Sequence, residues 1–156
     1  MKRLCTVFAI LFLTLAAAGM ALAQGNPFVG TWKLDVAKSK YDPGPPPKSQ
    51  TRTWDASGKV SVKGINAAGK PVSYGYPIKD DGKEYPTVGA IPNGADQISS
   101  NKFAPNTVEV HFMRGGKPAE TTTFAVSKDG KTLTISAKGS NPDGSPFNNV
   151  TVWEKK

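Results

Sequence analysis

Residues Phe28 to Val36 alternate in character: Phe28, Gly30, Trp32, Leu34 and Val36 fall on one phase, and Val29, Thr31, Lys33 and Asp35 on the other. A period of two puts the two sets on opposite faces of a β-strand. From Gln50 onward short runs rich in Val, Thr, Ile and aromatics repeat. They predict strands over Gln50–Asp55, Lys59–Ile65, Pro71–Ile78, Gln97–Phe103, Thr107–Arg114, Ala119–Ser127, Lys131–Lys138 and Asn148–Glu154. Gly-bearing pairs such as Ser57-Gly58, Ala68-Gly69, Gly115-Gly116 and Asp129-Gly130 punctuate them, supplying the positive φ of tight hairpins. No stretch beyond the first 23 residues carries a 3.6-residue apolar period, so helix is minor.

The expected fold is all-β: one antiparallel up-and-down β-barrel of about 8–10 strands. An internal echo supports repeated hairpins, because Gly69-Lys70-Pro71 and Asp81-Gly82-Lys83 return as Gly116-Lys117-Pro118 and Asp129-Gly130-Lys131. Closure removes exposed strand edges, which favours a barrel over a sandwich for a long meander. Inward phases are Val72, Tyr74, Tyr76 and Ile78; Val108, Val110 and Phe112; Thr122, Phe124 and Val126; and Leu133, Ile135 and Ala137. Two segments break the rhythm. Ala37–Lys48, with Pro43, Pro45, Pro46 and Pro47, reads as an extended crossover. Glu84–Ala95 reads as an irregular loop.

Residues 1–23 read as a secretory signal: Lys2 and Arg3, an apolar run from Leu4 to Ala18, and an Ala21-Leu22-Ala23 cleavage site. Cleavage after Ala23 would leave residues 24–156 as a single domain in the periplasm or the medium, with no stable membrane anchor. The one cysteine, Cys5, lies in that signal, so the remaining chain has no disulfide and no thiol ligand or nucleophile. The formal charge of +8 comes from lysines scattered beside turns, which suits solvated strand ends better than nucleic-acid binding. The oligomeric state is left open.

No catalytic constellation, metal cluster or cofactor fingerprint is visible. The single histidine, His111, falls on the Glu109 phase, outside the barrel. Asp80, Asp81, Asp129 and Asp143 sit at turns, where they accept backbone hydrogen bonds. No metal, cofactor or enzymatic activity is expected.

The Gly30-x-Trp32 motif on the first strand resembles the opening of lipocalins, and Phe28–Leu34 is similar to the first strand of the related fatty-acid-binding proteins. Asn149–Lys155 is similar to the last strand of the latter. With Lys38–Tyr41, Pro43–Pro47 and Ser127–Lys131, the chain resembles small exported lipocalin-like proteins of the calycin type. That resemblance implies a barrel enclosing a ligand. In fatty-acid-binding proteins the last strand carries an Arg and a Tyr that clamp a carboxylate; here those positions hold Thr151 and Trp153. The resemblance therefore implies a neutral or weakly polar ligand, unless Arg52 or Arg114 supplies a cation from another strand. The helical lid of that family is excluded by the four prolines.

The functional expectation is a small hydrophobic or amphipathic ligand among Trp32, Tyr74, Tyr76, Phe112 and Phe124, beneath the Pro43–Pro47 loop. Trp32 is expected to close one end. The alternative is a non-catalytic cell-envelope interaction module whose interior those aromatics fill.

Overall fold

In the computed structural model, which describes residues 25–156, the strands form where the alternation places them. They are β1 (Gly30–Lys40), β2 (Ser49–Trp54), β3 (Lys59–Ile65), β4 (Pro71–Pro77), β7 (Gln97–Ala104), β8 (Thr107–Arg114), β9 (Lys117–Val126), β10 (Thr132–Ser140) and β11 (Pro146–Lys155). Two strands of two residues each, β5 (Tyr85–Pro86) and β6 (Val88–Gly89), interrupt the segment expected to be irregular. The first strand runs four residues past Val36, so the crossover begins at Tyr41 rather than Ala37. A register shift between Asp35 and Lys40 accommodates this: Asp35 turns its carboxylate back to the Lys38 amide at 3.1 Å and Ser39 Oγ donates to the Asp35 carbonyl. The expected signal segment lies outside the described residues.

All the strands join one antiparallel sheet in the order β5-β7-β8-β9-β10-β11-β1-β2-β3-β4-β6. Consecutive strands pair as a meander, and β11 returns to β1, with Trp32 opposite Lys155 and Leu34 opposite Trp153. The sheet curls into a nearly closed barrel. Its one seam lies between β4 and β7, which do not pair; β6 borders the β4 side and β5 the β7 side. Tyr76 of β4 and Phe112 of β8 meet edge to face near this seam, ring centres 5.2 Å apart.

Turn chemistry matches the sequence. Asp55 Oδ1 accepts from the Ser57 and Lys59 amides, Asp129 Oδ1 from Lys131 and Asp143 Oδ1 from Ser145. Each carboxylate thus satisfies turn donors that strand pairing leaves free.

One end of the barrel is solid. Phe28 stacks on Trp54 at 4.6 Å, Trp54 meets Phe124 edge-on at 5.8 Å, and Val60, Ile98, Val108, Val126 and Leu133 pack fully buried around them. Trp32, 0% exposed, joins this plug and donates from Nε1 to the Phe28 carbonyl at 2.8 Å. Gly30 explains the spacing of the Gly-x-Trp motif. Its φ of 139° suits glycine, and a Cβ there would lie 2.7 Å from Lys155 Cε. Without that Cβ, the Lys155 ammonium reaches over the Trp32 ring, 4.9 Å from its centre.

Candidate functional site

A cavity of about 350 Å3 occupies the other end of the barrel. Its walls follow the period-two rule. On β2 the inward residues Gln50 and Arg52 line it, but Trp54 does not; on β4 Tyr74 and Tyr76 do, but Ile78, just past the strand's end, does not. On β9 Glu120, Thr122 and Phe124 line it before Val126 closes the series; on β11 the lining ends at Trp153. The last lining residue on each of these strands, Arg52, Tyr76, Phe124 and Trp153, thus marks a common floor above the aromatic plug. The mouth is formed by the crossover prolines Pro43, Pro45 and Pro47, by Asn66 and Ala67, and by Asn141. The crossover is non-helical, as its prolines require.

Arg52 dominates the floor. It is 6% exposed, and its guanidinium carbon lies 4.9 Å from the Trp153 ring centre, 5.4 Å from Phe124 and 5.9 Å from Tyr76. Nη1 donates to the Tyr76 hydroxyl, while Nε is buried with no partner. Among the described residues no carboxylate lies within 4.0 Å of it. A buried cation normally pairs with an anion, because desolvation costs several kcal/mol that only a counter-charge and a full set of hydrogen bonds repay. Trp153 Nε1 is already committed, donating to Thr151 Oγ1 at 2.8 Å.

Glu120 stands two inward positions nearer the mouth than Phe124. Asn93 Nδ2 donates to its Oε2 at 2.5 Å, and the Thr122 hydroxyl donates to Oε1. Burial pushes its carboxyl above the usual glutamate range, against the smaller opposing pull of those two bonds and of Arg52. Asn93 comes from the loop before β7. Its Oδ1 accepts the Ala95 amide, and its carbonyl accepts Arg114 Nη1 at 2.6 Å, which also reaches the Ser140 carbonyl at 3.2 Å. Arg114 therefore latches the mouth loop and does not line the cavity. Beside Glu120, Gly139 of β10 lets the strands approach closely: a Cβ there would meet the Ala119 carbonyl at 2.2 Å and Glu120 Cα at 2.8 Å. Burial also pushes the tyrosine hydroxyls upward, Tyr41 to about 12, with Arg52 pulling the other way.

The structure brings Tyr74, Tyr76, Phe112 and Phe124 together around the cavity. Trp32 is separate, part of the plug beneath it. Arg52, named above as a cation that another strand could supply, is inward by period-two counting from Trp54; Glu120, inward by counting back from Phe124, was not among the expected ligand contacts. His111 is on the outer face, paired with Glu109 at 3.0 Å. Among the described residues no group of His, Cys, Asp or Glu side chains is arranged to hold a metal.

Fold and cavity together define a nearly closed antiparallel barrel with a polar-floored internal pocket. Comparison of structures finds zebrafish ileal bile acid-binding protein complexed with cholic acid, with a TM-score of 0.49 and 13% identity over 83% of this chain and 99% of that one. It also finds As-p18, an extracellular fatty acid binding protein, with a TM-score of 0.48 and 14% identity over 84% and 97%. No protein-family model matches the sequence, and no curated protein does.

Proposed function

We propose that this chain is an exported, non-enzymatic binding barrel that holds a small hydrophobic or amphipathic molecule in the cavity. The observation that carries the reading is the cavity itself: about 350 Å3, walled by Tyr74, Phe112 and Phe124 and open at the proline-rich mouth. Pockets for small molecules range from about 300 to 1,000 Å3 and combine apolar walls with a few placed polar groups. The void argues against the alternative of an interaction module with a filled interior. Aromatic walls supply contact area, and the tyrosine hydroxyls supply directional bonds.

The test is titration with Nile red, a neutral environment-sensitive dye. Its emission should rise on binding and fall when short apolar compounds displace it, and Tyr74→Ala or Phe112→Ala should weaken it. A folded protein that leaves the dye unaffected overturns the reading. Export is tested separately. The protein recovered from the periplasm or medium of a bacterium expressing the full chain should begin at Gln24; retention of residues 1–23 would overturn it.

A further inference from the structure

The cavity wall has two polar poles at different depths. At the floor is Arg52, which has no counter-ion within 4.0 Å, whose Nε is unpartnered, and whose guanidinium is ringed by Tyr76, Phe124 and Trp153. At the mouth is Glu120, held in place by Asn93 and Thr122. On β9 the two levels are represented by Phe124 and Glu120, four residues apart, or roughly 13 Å of extended strand. Apolar or weakly polar surface from Tyr74, Phe112 and Ile135 lies along the same cavity.

We propose that the ligand is a short molecule with two polar ends: an anionic group that docks on Arg52 at the floor, and a hydrogen-bond donor that reaches Glu120 at the mouth, joined by an apolar body. The proposal rests on the binding-barrel reading and adds the ligand's class and orientation to it.

Each part follows from a different observation. Ring faces stabilise the guanidinium, and of its in-plane N–H groups Nη1 meets only the neutral Tyr76 hydroxyl while Nε has no acceptor; an oxyanion is the acceptor that also cancels the charge. Glu120 already accepts from Asn93 and Thr122, so its carboxyl is positioned as an acceptor with lone pairs to spare. The asparagine that fixes it belongs to the loop latched by Arg114, so the mouth pole is pre-organised rather than free to collapse onto the floor cation. Molecules with a single polar end satisfy one pole and leave the other with its desolvation uncompensated. The volume of about 350 Å3 sets the size: it is at the small end of ligand pockets.

Three probes of one chain length separate the poles: 8-hydroxyoctanoate, octanoate and 1-octanol. Each is titrated into the protein lacking residues 1–23, with tryptophan fluorescence as the readout, since Trp153 lies against Arg52. Octanoate should bind about tenfold more tightly than octanol, and 8-hydroxyoctanoate about fivefold more tightly than octanoate. Arg52→Met should bring octanoate to the affinity of octanol. Glu120→Ala should remove the gain from the terminal hydroxyl while leaving octanoate unchanged. The ranking in the unaltered protein carries the test even where a variant fails to fold. Equal affinities for octanoate and octanol, or no gain from the hydroxyl, overturn the two-pole proposal and leave the binding-barrel reading standing. Failure to bind any probe or Nile red overturns both.

Discussion

The Arg52 guanidinium lies 4.9 Å from the centre of the Trp153 ring, although the two residues come from strands that flank β1 on opposite sides. The contact joins β2 to β11 beneath the cavity. It puts a charge at a depth where the remaining neighbours are rings and hydroxyls. Thr151 on β11 carries no charge, and the cation that lines the cavity comes from β2. The expectation of a neutral ligand held unless Arg52 or Arg114 supplied a cation from another strand, and Arg52 does line the cavity.

Arg52 should be retained for binding at the expense of stability. Replacing a buried, incompletely paired charge with an apolar side chain of similar length is commonly neutral or stabilising. In the ligand-free protein Arg52→Met should therefore raise stability by about 1 kcal/mol, even though the Tyr76 hydroxyl loses its donor. Urea unfolding checks this. A lower midpoint with an unchanged slope would mean that the three ring contacts outweigh the desolvation of the guanidinium.

Glu120 should give the fold a pH dependence of its own. Its carboxyl holds a proton more tightly in the folded chain than in the unfolded one, because burial outweighs its hydrogen bonds. The stability it contributes is fully present below the ordinary glutamate value of 4.5 and is lost as pH rises through the higher folded value. The turn aspartates Asp55, Asp129 and Asp143 behave oppositely. Their hydrogen bonds, first those from Ser57, Ser127 and Ser145, lower them below 3.8, so their contribution is lost only at more acid pH. Urea midpoints between pH 4.5 and 8 should fall less steeply in Glu120→Gln than in the unaltered protein. Parallel curves would assign the slope to other groups.

Trp32 should matter for stability and not for ligand contact. It is fully enclosed, hydrogen-bonded to Phe28 and absent from the cavity wall. Trp32→Ala should cost about 3–5 kcal/mol by loss of transfer energy and creation of a void. Under conditions where the variant remains folded, Nile red affinity should stay within about twofold of the original. A large loss of affinity with little change in midpoint would reverse the assignment.

The alternation of Phe28 to Val36 located the first strand and its buried face but not its far end at Lys40, whereas Thr107–Arg114 has the same ends in the sequence pattern and in the fold. Regular pleating translates directly into sequence period, which is why the strands were legible. The polar poles were harder to see. Arg52 shares its phase with Trp54, but a charge on an apolar phase resembles an interruption of the pattern. Glu120 continues the phase of Thr122, Phe124 and Val126, and it becomes informative only when paired with Asn93. That asparagine belongs to a loop without period, and its approach to β9 is set by the Arg114 latch rather than by any local pattern. The short strands β5 and β6 were lost for the same reason.

The unpaired seam between β4 and β7 gives the barrel the mechanics of a split collar. Everywhere else the spacing of adjoining strands is fixed at about 4.8 Å by ladder hydrogen bonds. At the seam β4 and β7 share no ladder; the short segment Tyr85–Gly89 fills it, β6 pairing with β4 and β5 with β7, and an edge-to-face contact between Tyr76 and Phe112 spans it on the cavity side. Those two rings are also cavity wall. Few backbone bonds hold the circumference there, so the bore yields at the seam before it yields at any continuous ladder.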